Sequence, residues 1–168
     1  MIYEHSSNLV HGAITDTFSP EAFRHAELFY EEIRHFSTDV KRITENTDFT
    51  YEQILMVKHY LFIDKHYLES GQEPRHFDAC FEIAESWRRL MSKHDEIEPH
   101  DILLIKHELS KIDLVNKGFT QEDAHNISNK LYNYADACDV FYDSLNMNPH
   151  ATTINAGAIR RILDRHTH

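Results

Sequence analysis

Glycine and proline are scarce, with four of each in 168 residues. A β-rich fold needs more turn formers than that, so the shortage points to helices joined by short connections. Only two cysteines occur, Cys80 and Cys138. Two thiols exclude a disulfide framework and a zinc site built on cysteines, and make a reducing compartment the default expectation. No apolar run approaches the length of a membrane span, so no membrane partner is expected. The opening stretch, MIYEHSSNLVHGAI, lacks the basic start and apolar stretch of a signal peptide. The expected location is cytoplasmic, or outside the cell by a specialised export route. There is no Gly-rich phosphate loop, and nothing in the pattern sets up an activated Ser or Cys nucleophile.

Basic residues are also short. Seventeen Lys and Arg face 28 Asp and Glu, for a net charge of −11. Phosphate neutralisation dominates nucleic-acid affinity, so nucleic acid is expected only at a local site. A basic protein partner, such as an immunity protein, suits the charge better. What is abundant is apolar side chain, at 41%, enough for a packed core, and histidine, with 14 residues.

The apolar residues fall at helical spacing. Residues 1–18 show no period and read as an N-terminal arm; residues 19–168 read as one helical domain. Ser19, Pro20 and Glu21 form an N-cap, a first-position proline and an early acid. They open a helix to about Phe36, with a stripe of Phe23, Ala26, Phe29, Tyr30, Ile33 and Phe36. A short helix follows Thr38, using Val40 and Ile43. Thr50 with Gln53 is a capping box for a third helix, to about Asp64. That helix is apolar almost all round and is expected to be central. Gly71 and Pro74 mark a loop. FDACFEIAESWRRLM reads as a fourth helix, with a core Trp87 beside a solvated pair, Arg88 and Arg89. Pro99 introduces a fifth, ending near Lys117 with Gly118 as its stop. Thr120 with Asp123 opens a sixth, to about Leu145, whose stripe of Tyr134, Cys138, Phe141 and Tyr142 suits the core or a homodimer contact. INAGAIRRILDRH reads as a last short helix. The fold class is therefore all-α, a single-domain bundle of six or seven helices.

The chemistry-bearing residues lie inside this pattern. His59 with His66 and His100 with His107 share a seven-residue spacing, but with this many histidines chance predicts about one such pair, and the spacing differs from that of zincins. Angular position says more. On a wheel of the fifth helix with His100 at zero, the apolar residues fill a sector from roughly 40° to 200°. Asp101 and Glu108 fall inside it, and His100 and His107 at its edge. Asp101 has a second reading as the helix N-cap; Glu108 does not, and a buried carboxylate is costly unless paired, protonated or metal-bound. His59 falls between Leu55 and Ile63 on the apolar wall of the third helix. If it meets Glu108, with His66, Asp101 or His107 nearby, the cluster could hold Zn²⁺ or Mn²⁺ through His59, His66, His107 and Glu108. It could equally act as an acid–base pair. Arg34 borders the first stripe as a carboxylate or phosphate partner.

Several separated stretches, in order, carry a resemblance: YEEIRHFSTDVKRITENTDFTYEQI, VKHYLFIDKHYLESG, RHFDACFEIAESWRRL, EPHDILLIKHELSKIDLVNKGFTQEDAH and NKLYNY. Over about residues 30–142 the chain resembles a helical domain found at the C-termini of phage head-morphogenesis, minor capsid and polymorphic toxin-like proteins of Gram-positive bacteria and their phages. The resemblance implies that Arg34, Asp39, His59, His66, Trp87, His100, Asp101, His107 and Glu108 are characteristic positions. Members often read SWQRL followed by Gly where this chain has SWRRLMSKHDE. The resemblance implies a phage or toxin context and no particular reaction.

Two functions follow as expectations. One is a toxin-like effector, a metal-assisted hydrolase or nuclease in which a metal activates water and a carboxylate orients it, with His59, Glu108, Asp101 and Arg34 as catalytic candidates. The other is a non-enzymatic acidic binding module, a phage structural or anti-defence protein. There the same residues form a satisfied buried network that fixes helix register.

Overall fold

The computed structural model describes residues 14–69 and 71–147. Helix α1 spans Pro20–His35, with Pro20 in its first turn and Ser19 as its cap. The Ser19 hydroxyl accepts from the Ala22 N–H at 3.1 Å. The buried stripe is Ala22, His25, Ala26, Phe29, Tyr30 and Ile33. Phe23, expected inside it, is exposed, because the stripe turns toward Ala22 and His25. Helix α2 (Asp39–Asn46) presents Val40 and Ile43 inward. Helix α3 (Tyr51–Lys58) opens with the expected capping box, both of its bonds being made.

The rest of the third expected helix is not α-helical. Residues His59–Ile63 form a π-helical turn, closed by the Asp64 N–H donating to the His59 carbonyl at 2.7 Å. Arg34 secures it from α1, its Nε donating to the Phe62 carbonyl at 2.6 Å. Nor is α3 central. Its Tyr51 and Met56 are exposed, and Ile54, Val57 and Lys58 face inward.

The central element is α4 (Phe81–Ser92), in which every residue from Phe81 to Met91 is buried. The pattern read Arg88 and Arg89 as solvated, but both lie in the interior because each finds a carboxylate. Arg88 Nε donates to Glu85 at 3.2 Å, and Arg89 holds both oxygens of Asp101 at 2.9 Å. Phe77 to Cys80, expected to be helical, lead into α4 as extended chain.

Helix α5 (Pro99–Asn116) follows a short 3₁₀ turn at His94–Glu96. It stops at Gly118, whose φ of +98° favours a residue without a Cβ. The sixth expected helix is two. Helix α6 (Gln121–Leu131) ends at Tyr132, and α7 (Tyr134–Ser144) begins after Asn133, which caps it by accepting from the Asp136 N–H at 3.2 Å. An asparagine inside an apolar period was strong enough as a cap to break the run. Tyr134, Cys138 and Tyr142 are core residues.

The described residues thus form an all-α bundle of seven helices without a sheet; a single antiparallel bridge joins His66 and Arg75. No described helix is long and apolar enough to cross a membrane. The expected helix at 154–166, and residues 1–13 of the expected N-terminal arm, lie outside the described residues. Trp87, Phe62, Phe29 and Ile54 are wholly buried at the centre, and burying each such side chain stabilises by ~1.5–3 kcal/mol. Helix α5 packs on α3, α4, α6 and α7, and the pocket beside His107 and Glu108 is lined from α4, α5, α6 and α7.

Candidate functional site at Glu108

The residues singled out from the sequence separate into three places. His59 is on the surface. Its side chain is 53% exposed, with Nδ1 3.7 Å from Asp64. The expected approach of His59 to a buried Glu108 therefore does not occur. Helix α3 turns its Ile54–Val57–Lys58 face inward because Lys58 is bound there. Its ammonium donates to Asp39 at 2.8 Å and to the Phe36 carbonyl at 2.9 Å.

The second place is structural. Asp39 also accepts from the Trp87 indole N–H at 3.0 Å, joining α2, α3 and α4. Asp101 is the third residue of α5 rather than its cap. One of its oxygens accepts from the Glu98 N–H at 2.8 Å while Arg89 grips the carboxylate in a fork. His100 accepts from Arg89 through Nε2 at 3.0 Å. Burial, partly offset by Asp101, lowers its pKa to about 4, so the imidazole is neutral at pH 7. Arg34 holds the π turn and pairs with Glu31 at 2.7 Å. These residues each have a partner within the fold.

The third place is the middle of α5. Glu108 is 1% exposed, and burial raises its pKa above the ordinary carboxylate value. The opposing charge is Lys111, one helical turn on, with Nζ 3.4 Å from Glu108 Oε2. Lys111 is itself fully buried, its ammonium 5.3 Å from the Tyr60 ring centre and 5.2 Å from that of Phe77. Such cation–π contacts strengthen when desolvated. The Lys111 contact is an ion pair without hydrogen-bond alignment, and Oε2 has no other hydrogen-bond partner among the described residues.

His107 flanks Glu108. Its Nδ1 lies 3.0 Å from the Tyr132 carbonyl. A carbonyl only accepts, so Nδ1 carries the proton. Burial first, then the Lys111 charge, lowers the His107 pKa to about 3. The ring is therefore neutral at pH 7, with a bare lone pair on Nε2. The break between α6 and α7 makes this possible, because Tyr132 caps the end of α6. His66 lies behind the same pair, its ring stacked 4.2 Å from that of Phe77 and its Nε2–H on the Tyr60 carbonyl at 2.7 Å. Burial lowers its pKa, and both Glu108 and Lys111 act on it.

A pocket opens beside these groups. It is lined by Cys80, Glu82 and Ile83 from the start of α4, His107 and Glu108 from α5, His125 and Asn129 from α6, and Tyr134, Ala135 and Cys138 from α7. His125 stacks edge-on to His107 with ring centres 5.1 Å apart. Cys80 donates its thiol proton to Glu82 at 3.2 Å. Tyr134 bonds Ser86 at 2.8 Å, and burial holds its phenol well above the usual range. Among the described residues, no three His, Cys, Asp or Glu side chains are arranged to hold a metal ion.

No family model, curated protein or solved structure matches the chain.

Sequence reasoning reached His66, His107 and Glu108 and missed Lys111, His125, Asn129, Cys80 and Cys138. Lys111 had a local signal, since it stands at i+3 from Glu108 and near the edge of the apolar sector. Of the other four, His125 and Asn129 share α6, Cys80 caps α4 and Cys138 lies on α7, and only tertiary packing brings these elements to Glu108.

Proposed function

We propose that the chain is an effector domain of the toxin-like or phage-associated kind, with a hydrolytic site at the Glu108 pocket. The observation that carries this reading is a buried carboxyl, its proton affinity raised by burial, at the edge of a pocket and flanked by an imidazole held neutral with its proton on Nδ1. Titratable groups displaced by burial and gathered in a concavity are the usual mark of a catalytic site. Glu108 would take a proton from a nucleophile and return it to a leaving group. Lys111 would stabilise negative charge developing nearby. His107 has the backbone-anchored tautomer that suits a metal ligand, but Zn²⁺ or Mn²⁺ at Glu108 would have to compete with the Lys111 ammonium. The metal-free form is therefore preferred. The acidic surface disfavours a nucleic-acid substrate.

The test is expression of the full chain in bacteria. Glu108→Gln should relieve growth inhibition caused by the wild type while its melting temperature stays within a few degrees. Relief only in variants that also unfold would sink the hydrolytic reading.

A second reading is favoured by a different observation: Asp39, Asp101, Arg34 and Arg89 all end on partners within the fold. A domain whose buried charges hold helices in register is also suited to a non-enzymatic role, with its acidic surface turned to a basic protein. In that case Glu108→Gln leaves every cellular effect of the wild type in place.

A further inference from the structure

Two residues that line the Glu108 pocket each carry a buried acceptor atom without a hydrogen-bond donor among the described residues. One atom is Glu108 Oε2 and the other Asn129 Oδ1, both sealed from bulk solvent. They come from facing helices, α5 and α6. The bare Nε2 of His107 belongs to a third lining group. The pocket offers water-sized centres about 20 Å³ of room, and one buried water needs roughly 10–15 Å³ and two to four polar partners. A buried acceptor left without a donor costs ~1–3 kcal/mol. The space, the number of acceptors and their chemistry agree on one occupant, a molecule the size of water that donates two hydrogen bonds.

We propose that the pocket binds one ordered water molecule, which donates to Glu108 Oε2 and to Asn129 Oδ1. Asn129 is the positioning residue of this site. It fixes the water against Glu108 and touches nothing else the proposed reaction needs. The water bonds Glu108 whether the carboxyl is ionised, as acceptor, or protonated, as donor. In the hydrolytic reading of this pocket, on which the role but not the presence of the water rests, it is the molecule from which Glu108 takes a proton. Lys111 is not among the lining residues; its ammonium lies 3.4 Å from the same Oε2, and the water joins it there as a hydrogen-bond donor.

The test needs no substrate. A high-resolution crystal structure of the full chain should show a water peak within roughly 2.7–3.2 Å of both Glu108 Oε2 and Asn129 Oδ1. Water-oxygen magnetic relaxation dispersion should then count one fewer long-lived water in Asn129→Leu than in the wild type. A dry pocket, or a pocket filled by a protein side chain, overturns the proposal in the wild type alone, whatever the variant does. So does an unchanged count in a folded Asn129→Leu. If the water is present and Glu108→Gln has no effect on growth inhibition, the water site stands and only the hydrolytic reading falls.

Discussion

Lys111 neutralises Glu108 from one turn further along the same helix, with both side chains almost wholly removed from solvent. This answers what a carboxylate is doing inside the apolar face of α5. Taking two charges out of water is expensive, and their attraction offsets that only when the geometry and the remaining hydrogen bonds are good. Here the geometry is imperfect, at 3.4 Å without alignment, and the ammonium is supported by two aromatic rings. Buried pairs of this kind contribute little net stability. A pair beside a pocket that also holds a neutral histidine fits chemistry better than it fits packing.

Replacing Lys111 with Met should destabilise the fold strongly, by up to ~3–5 kcal/mol, because it strands a buried carboxylate. Without the ammonium, Glu108 keeps its proton to still higher pH. The loss should therefore be larger at pH 8 than at pH 5, because a raised pKa leaves more of the carboxyl protonated at the lower pH. Adding Glu108→Gln to Lys111→Met should recover most of the loss. Urea unfolding of the three proteins at both pH values measures this, and an equal loss at pH 5 and pH 8 would contradict the pairing.

The His107 tautomer is a second expectation. The Tyr132 carbonyl requires the proton on Nδ1, so nitrogen-detected NMR at pH 7 should show a neutral ring with protonated Nδ1 and bare Nε2. Substituting the cap, Asn133→Ala, should cost ~1 kcal/mol and perturb this ring by loosening the helix break that presents Tyr132. A spectrum dominated by the Nε2–H form would remove His107 from the acceptor side of the pocket.

How far the fold could be read from the sequence depended on how local its cause was. Ser19 with Pro20, Thr50 with Gln53, and Gly118 act through their own backbone neighbours, and each was legible. Asn133 was not, since a capping asparagine inside an apolar period looks like a tolerated polar residue until its bond to Asp136 is seen. His59 was placed inward because an all-round apolar helix has no marked face, and the inward face was chosen by a distant event, the binding of Lys58 to Asp39. Arg89 looked solvated because its partner Asp101 lies on the next helix; Arg88 had a local signal in Glu85 at i−3, but that spacing does not say that the pair is buried. In the site, Glu108 was legible as a charge on the wrong side of a wheel. The residues around it come from four helices, and no single period connects them.

The Asp39 cluster gives a prediction independent of the pocket. Asp39→Ala removes the carboxylate that joins the Lys58 ammonium and the Trp87 indole. The loss should reach ~3–5 kcal/mol, since a buried ammonium loses its counter-charge. Asp39→Ala with Lys58→Met should regain a large part of it, and a double-mutant cycle in urea reads the coupling. Purely additive losses would mean that the two groups do not act as a pair.

Acid should weaken this protein well before its ordinary carboxylates protonate. His100 and His107 have folded pKa values of about 4 and about 3, below the value near 6.5 expected of an unfolded histidine. Between those limits the unfolded chain binds more protons than the folded one, so stability rises with pH. The stability these neutral rings allow is fully present above about pH 6.5 and is lost progressively as pH falls toward 4 and then 3. His66, also lowered by burial, adds to the same trend. Glu108 acts in the opposite sense. Its folded pKa is raised, so it costs stability as pH rises above the unfolded carboxylate value and relieves that cost on acidification. Urea midpoints measured from pH 7.5 to 4.5 should therefore fall steadily. The fall should steepen in Glu108→Gln, which removes the opposing group, and flatten in His107→Gln, which removes one of the driving rings. A midpoint that stays constant over this range would mean that the two rings are already charged in the folded state, which the Lys111 ammonium beside His107 and the Arg89 guanidinium on His100 argue against.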